Sequence, residues 1–115
     1  VRELAVILVD GAPVYWHEPA DATSTYIPDS RTFFDELWAR RDQSIAVAHL
    51  HPWSGRAVPS SIDLETFEAL DIAFGRHIEQ YVVTFDDAWS SVVRDVLPTS
   101  WLDELRARGK KKEHT

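Results

Sequence analysis

Apolar and polar positions change period several times along this chain, and each change marks an element. Leu4 to Val9 is continuously apolar and rich in β-branched residues, the pattern of a buried strand. Asp10-Gly11 then signals a tight turn, and Val14-Tyr15-Trp16-His17 reads as the returning arm of a hairpin. Pro19 to Asp29 mixes Pro, Ala, Asp, Ser and Thr, which predicts a surface loop with a short extended piece at Tyr26-Ile27. Ser30 is placed to cap a helix running to about Arg41, because Phe33, Phe34, Leu37 and Trp38 recur at helical spacing.

Period two returns at Ser44 to His51. Ile45, Val47, His49 and His51 alternate with Ala46, Ala48 and Leu50, so a strand here carries both histidines on one face. Pro52 to Pro59, with Trp53, Gly55 and Arg56, predicts a loop. A helix is predicted from Asp63 to about Arg76, with Leu64, Phe67, Leu70, Ile72 and Phe74 as its apolar side. Gln80 to Phe85 and Trp89 to Val93 predict a second strand pair around an Asp86-Asp87 turn, and Pro98-Thr99-Ser100 opens a last helix ending near Gly109. The predicted order is β-β-α-β-α-β-β-α. That is an α/β (or α+β) single domain with a mixed sheet over residues 1–109, followed by a polar, basic tail over 110–115. Trp16, Trp38, Trp89 and Trp101 fall within apolar patterns and are expected in the core.

Composition narrows what such a domain does. The 115 residues suffice for one core, and 44% hydrophobic residues with five tryptophans exclude a disordered chain. Cysteine is absent, so disulfides and thiolate sites are excluded, and any metal must be held by His, Asp or Glu. The longest apolar run, Leu4 to Val9, is too short to span a bilayer and lacks a leader-cleavage pattern. A soluble, cytoplasmic protein without a membrane partner is expected. A net charge of −7 argues against nucleic acid as partner, and Lys110-Lys111-Lys112 reads as a solvated end. Whether the chain forms a homo-oligomer stays open.

The chemistry-bearing stretch begins at His49-Leu50-His51-Pro52. Two imidazoles on one strand face, joined by the Asp63 carboxylate from the next helix, would bind zinc and leave a coordination position open, as catalytic sites do. The plainer reading of the histidines is a partly buried pair hydrogen-bonded to backbone. The plainer reading of Ser60-Ser61-Ile62-Asp63 is a capping box. Ser100-Trp101-Leu102-Asp103 repeats the same spacing with no histidine near it, so S-x-x-D carries meaning only after the H-x-H strand.

Taken together, H-x-H, Pro, a loop, then P-S-x-x-D at a helix start resembles the signature of the JAMM/MPN+ (JAB-type) zinc metalloproteases. In that family a Glu precedes His-Ser/Thr-His-Pro, seven residues and Ser-x-x-Asp. The order of elements over residues 3–94 is similar to the family's as well, in the compact form of its prokaryotic branch. The resemblance implies one zinc ion per chain, with His49, His51 and Asp63 as ligands and water in the fourth position. It implies a glutamate that moves the proton from water to the leaving amine, and Ser60 helping to hold the oxyanion. The implied reaction is cleavage of an isopeptide or peptide bond at the C-terminal tail of a ubiquitin-like modifier.

Glu3 matches the family glutamate, just ahead of the first strand, and Glu18 is its rival because the hairpin returns it to the same end of the sheet. His17 is expected at the surface or in support of the site, and Trp53 either grips a peptide tail or packs its own loop. The chain departs from the pattern where Leu50 replaces Ser or Thr, where eight residues (Pro52 to Pro59) separate His51 from Ser60, and where two residues precede Glu3 in place of a helix. The alternative reading is a non-catalytic MPN-type interaction scaffold.

Overall fold

The computed structural model describes residues 1–24, 27, 30–93 and 100–110. The predicted element order is the observed one: β1 (Leu4–Val9), β2 (Ala12–His17), α1 (Ser30–Trp38), β3 (Ile45–Leu50), α2 (Ser61–Phe74), β4 (Glu79–Val83), β5 (Ala88–Ser90) and α3 (Leu102–Lys110). The strands form one mixed sheet in the order β2-β1-β3-β4-β5. β1 runs antiparallel to both β2 and β3, β3 parallel to β4, and β4 antiparallel to β5. Asp10 and Gly11 both take positive φ, 51° and 80°, which matches the twist a two-residue hairpin requires. A register shift between Ile7 and Leu8 leaves Val14 unpaired in β2.

Alternation divides the core in two. Leu4, Val6 and Leu8 of β1, with Ala48 and Leu50 of β3 and Tyr81 and Val83 of β4, face α3 and pack on Trp101, Leu102 and Leu105. On the other face Ile7, Ile45, Val47 and Ile78 pack on Leu37 of α1, with Phe33, Leu70 and Phe74 covering them. His49 continues the Ile45, Val47 row, so the strand face that starts as core ends as chemistry. Leu50 points the other way and is fully buried against α3. Gly109 passes so close that a Cβ there would collide with the Leu50 side chain.

Several boundaries and burials differ from expectation. α1 ends at Trp38, and the chain continues to Arg41 in tight turns (Arg40 N–H to Leu37 O, 3.0 Å; Arg41 N–H to Trp38 O, 3.1 Å). α2 starts two residues before Asp63 because Ser60 is its N-cap, and it ends at Gly75, whose φ of 67° closes the helix. Leu64 and Ile72 are exposed, and only Phe67, Leu70 and Phe74 turn inward. Apolar residues lie all round α2, so its buried side could not be read from pattern. β4 and β5 are shorter than predicted. Trp101 is fully buried, but Trp38 is 41% exposed and stacks on Phe34 at the surface. Lys110 belongs to α3 and lies over the Phe85 ring instead of starting a tail. The expected extended piece at Tyr26, the Pro98-Thr99 helix start and the rest of the tail lie outside the described residues.

Candidate metal centre

His49 and His51 leave the same face of the sheet. His49 is the penultimate residue of β3, and His51 is held in line by its N–H to Val83 O (2.8 Å). Both are buried. The Nε2 atoms lie 3.1 Å apart, His51 Nε2 lies 3.1 Å from Asp63 Oδ2, and His49 Nε2 lies 3.4 Å from Asp63 Oδ1. One ligand atom from each residue therefore falls within 4.8 Å of the others, and the group could hold a metal ion. The donor set suits zinc: bonds of 2.0–2.2 Å in a tetrahedron place ligand atoms roughly 3.3–3.6 Å apart, close to the spacing found.

The capping box and the ligand set turn out to be one construction. Ser60 Oγ accepts from Asp63 N–H (3.0 Å), while Ser60 N–H donates to Asp63 Oδ2 (2.8 Å). That same Oδ2 reaches His51. The cap thus fixes the rotamer that aims the carboxylate at the imidazoles. Burial alone pushes the Asp63 carboxyl up, but its hydrogen bonds to His49 and His51, the His49 charge and the Ser60 amide outweigh that. They hold it well below the usual carboxylate range.

The trio lies in the wall of a cavity of about 670 Å³ that Glu3, His17, Trp53, Ser60 and Gln80 also line. The Glu3 carboxyl is pushed up to about 7, first by burial and then by the Asp63 charge, with His51 pulling the other way. Glu18 does not reach this cavity. Arg2 (2.9 Å) and Arg108 bind its two oxygens on a different part of the surface. His17 is buried, contrary to a surface role, with Nδ1 3.2 Å from the Tyr15 hydroxyl and its ring 5.2 Å from that of Phe33. Trp53 is 44% exposed and tilts over His51 with ring centroids 4.7 Å apart.

The loop that follows His51 is tethered by residues that pattern reading passes over. Asp86 accepts from Gly55 N–H and Asp87 from Ala57 N–H, each at 2.7 Å, and the Thr84 hydroxyl donates to Gly55 O at 2.6 Å. Arg106 of α3 in turn donates to Thr84 O and Asp87 O. Asp86-Asp87 was expected to be no more than a turn. The carboxylates instead reach 31 and 30 residues back to hold the eight-residue interval between His51 and Ser60. The signal available in sequence was two adjacent acids where a turn needs one. Gln80 was missed too, though a lone amide before Tyr81-Val82-Val83 in a buried strand is itself a signal.

Among the described residues, no helix is long and apolar enough to cross a membrane. No protein-family model, no curated protein and no solved structure matches this chain.

Proposed function

We propose that the chain is a zinc-dependent peptidase or isopeptidase that acts at the C-terminal tail of a ubiquitin-like modifier or a related peptide. The observation that carries this reading is the convergence of His49, His51 and Asp63 in a cavity wall shared with a carboxyl poised near neutrality. His49 Nε2, His51 Nε2 and the Asp63 carboxylate would hold the ion. When bound, zinc supplies Lewis-acid polarisation of the scissile carbonyl and acidifies the attacking water. Glu3, a carboxyl in the same cavity wall, would take a proton from water and return it to the departing amine. The Ser60 hydroxyl accepts from Asp63 N–H and keeps its own hydrogen for a developing oxyanion. Trp53 offers an exposed aromatic face at the cavity rim, where an extended peptide tail would lie.

The departure at Leu50 does not weaken the reading. Its side chain is in the opposite core, so a small polar residue is not displaced from the cavity by its bulk. The test is cleavage of reporter fusions to a panel of ubiquitin-like modifiers by zinc-loaded protein. Release of the reporter that stops with a chelator and in Glu3→Gln supports the proposal. Zinc uptake without cleavage of any fusion would overturn it in favour of a non-catalytic interaction scaffold.

A further inference from the structure

Beside the trio, the cavity wall includes Val47 of β3, Phe33 of α1, and Phe67 and Leu70 of α2, with the Phe67 ring 6.0 Å from that of His49. Gln80 of β4 pairs with Val47 in the parallel register, on the face that also carries His49. It is 1% exposed, and its side-chain nitrogen has no hydrogen-bond partner among the described residues. A buried amide of that kind loses its hydration without compensation, so native structures nearly always give it a partner. Here it belongs to the wall of the cavity, whose mostly apolar lining in this part includes the His17 ring beside Phe33, next to a proposed reaction centre. A ligand is the missing partner that the arrangement suits.

We propose that this part of the cavity is a subsite for a tyrosine side chain of the peptide substrate, with the phenol meeting the Gln80 amide. The inference rests on the peptidase reading and names the residue type that reading leaves unspecified. Phe33 and Phe67 give the ring aromatic neighbours, for edge or offset contacts. Rotation about the last side-chain bond lets Gln80 present its oxygen or its nitrogen, and a phenol can donate or accept. Gln80 lies level with Val47, two residues along the strand from His49, so its backbone is displaced from that ligand by about 6.6 Å along the strand direction. A phenylalanine would fill the same walls and leave the amide unpaired.

The experiment compares N-acetyl-tyrosinamide with N-acetyl-phenylalaninamide by NMR titration, in zinc-free and zinc-loaded protein, for wild type and Gln80→Leu. Wild type is expected to bind the tyrosine probe about tenfold more tightly, the worth of one well-placed hydrogen bond. Gln80→Leu should bind both probes alike, and Gln80→Met supplies the same comparison if the leucine variant does not fold. Equal binding by wild type, an unchanged preference in the variants, or no shift of cavity resonances with either probe would overturn the subsite. Cleavage of the reporter fusions by the same zinc-loaded samples separates that failure from failure of the peptidase reading.

Discussion

Glu3 and Glu18 leave the sheet at the same end, because the β1–β2 hairpin pairs Ala5 with His17. Their surroundings differ completely. Glu18 sits between two guanidiniums, Arg2 at 2.9 Å and Arg108, and Arg108 is itself fixed over the Trp16 ring (4.0 Å) and bonded to Glu104 (3.1 Å). Glu3 anchors its backbone to Thr23 O (2.7 Å) and turns its carboxyl into the cavity of the metal trio, where burial lifts it to about 7. Position in the sheet decides which residues are neighbours in space. The partners then decide what a carboxylate is for: one locked in an ion-pair network holds structure, and one buried beside a cavity can exchange a proton at neutral pH.

Exchanging these carboxylates for amides tests the contrast most strongly. Glu3→Gln should lower turnover of the zinc-loaded protein by about 10²–10⁴-fold with zinc still bound, the usual worth of a general base. Glu18→Gln should change turnover less than threefold. If Glu18→Gln proves the more damaging to turnover, the assignment is reversed. Stability should show the opposite order. Glu18→Gln leaves Arg2 and Arg108 half-buried with a weaker partner, and chemical denaturation should register a loss of about 1–2 kcal/mol.

A smaller effect sharpens the difference through pH. In metal-free protein the Glu3 carboxyl holds its proton up to about 7, whereas the unfolded chain releases it near 4.5. The folded state binds more protons inside that window, so stability falls as pH rises from about 4.5 through 7. Above 7 the penalty is complete: the full shift corresponds to about 3 kcal/mol, and solvent screening of this half-buried carboxyl reduces it to on the order of 2 kcal/mol. Glu3→Gln should flatten this slope relative to wild type. Denaturation midpoints that fall equally between pH 4.5 and 7 in both proteins would contradict the raised carboxyl.

Much of this was legible where a local rule and a tertiary consequence coincide. The period-two pattern of β3 put His49 and His51 on one face whatever the rest of the chain did. The S-x-x-D spacing is informative only because Asp63 caps its helix and reaches the histidines with one rotamer. What escaped depends on partners remote in sequence. Glu18 is claimed by Arg108, ninety residues away, so its charge pattern alone could not separate it from Glu3. Asp86 and Asp87 look like turn residues from either side and reveal their second task only in the loop they hold. α2 and Trp38 misled for a different reason. Apolar side chains on all sides of a helix, or at a helix end, do not say which of them the sheet will cover.

The central claim is that His49, His51 and Asp63 form one zinc site, and metal titration tests it most directly. Zinc binding followed by calorimetry and by elemental analysis after gel filtration should give one tightly held ion per chain. His49→Ala and Asp63→Ala should each lose it, while Glu3→Gln retains it. A wild-type protein that takes up no zinc after reconstitution, or variants that bind it as well as wild type, would contradict the account.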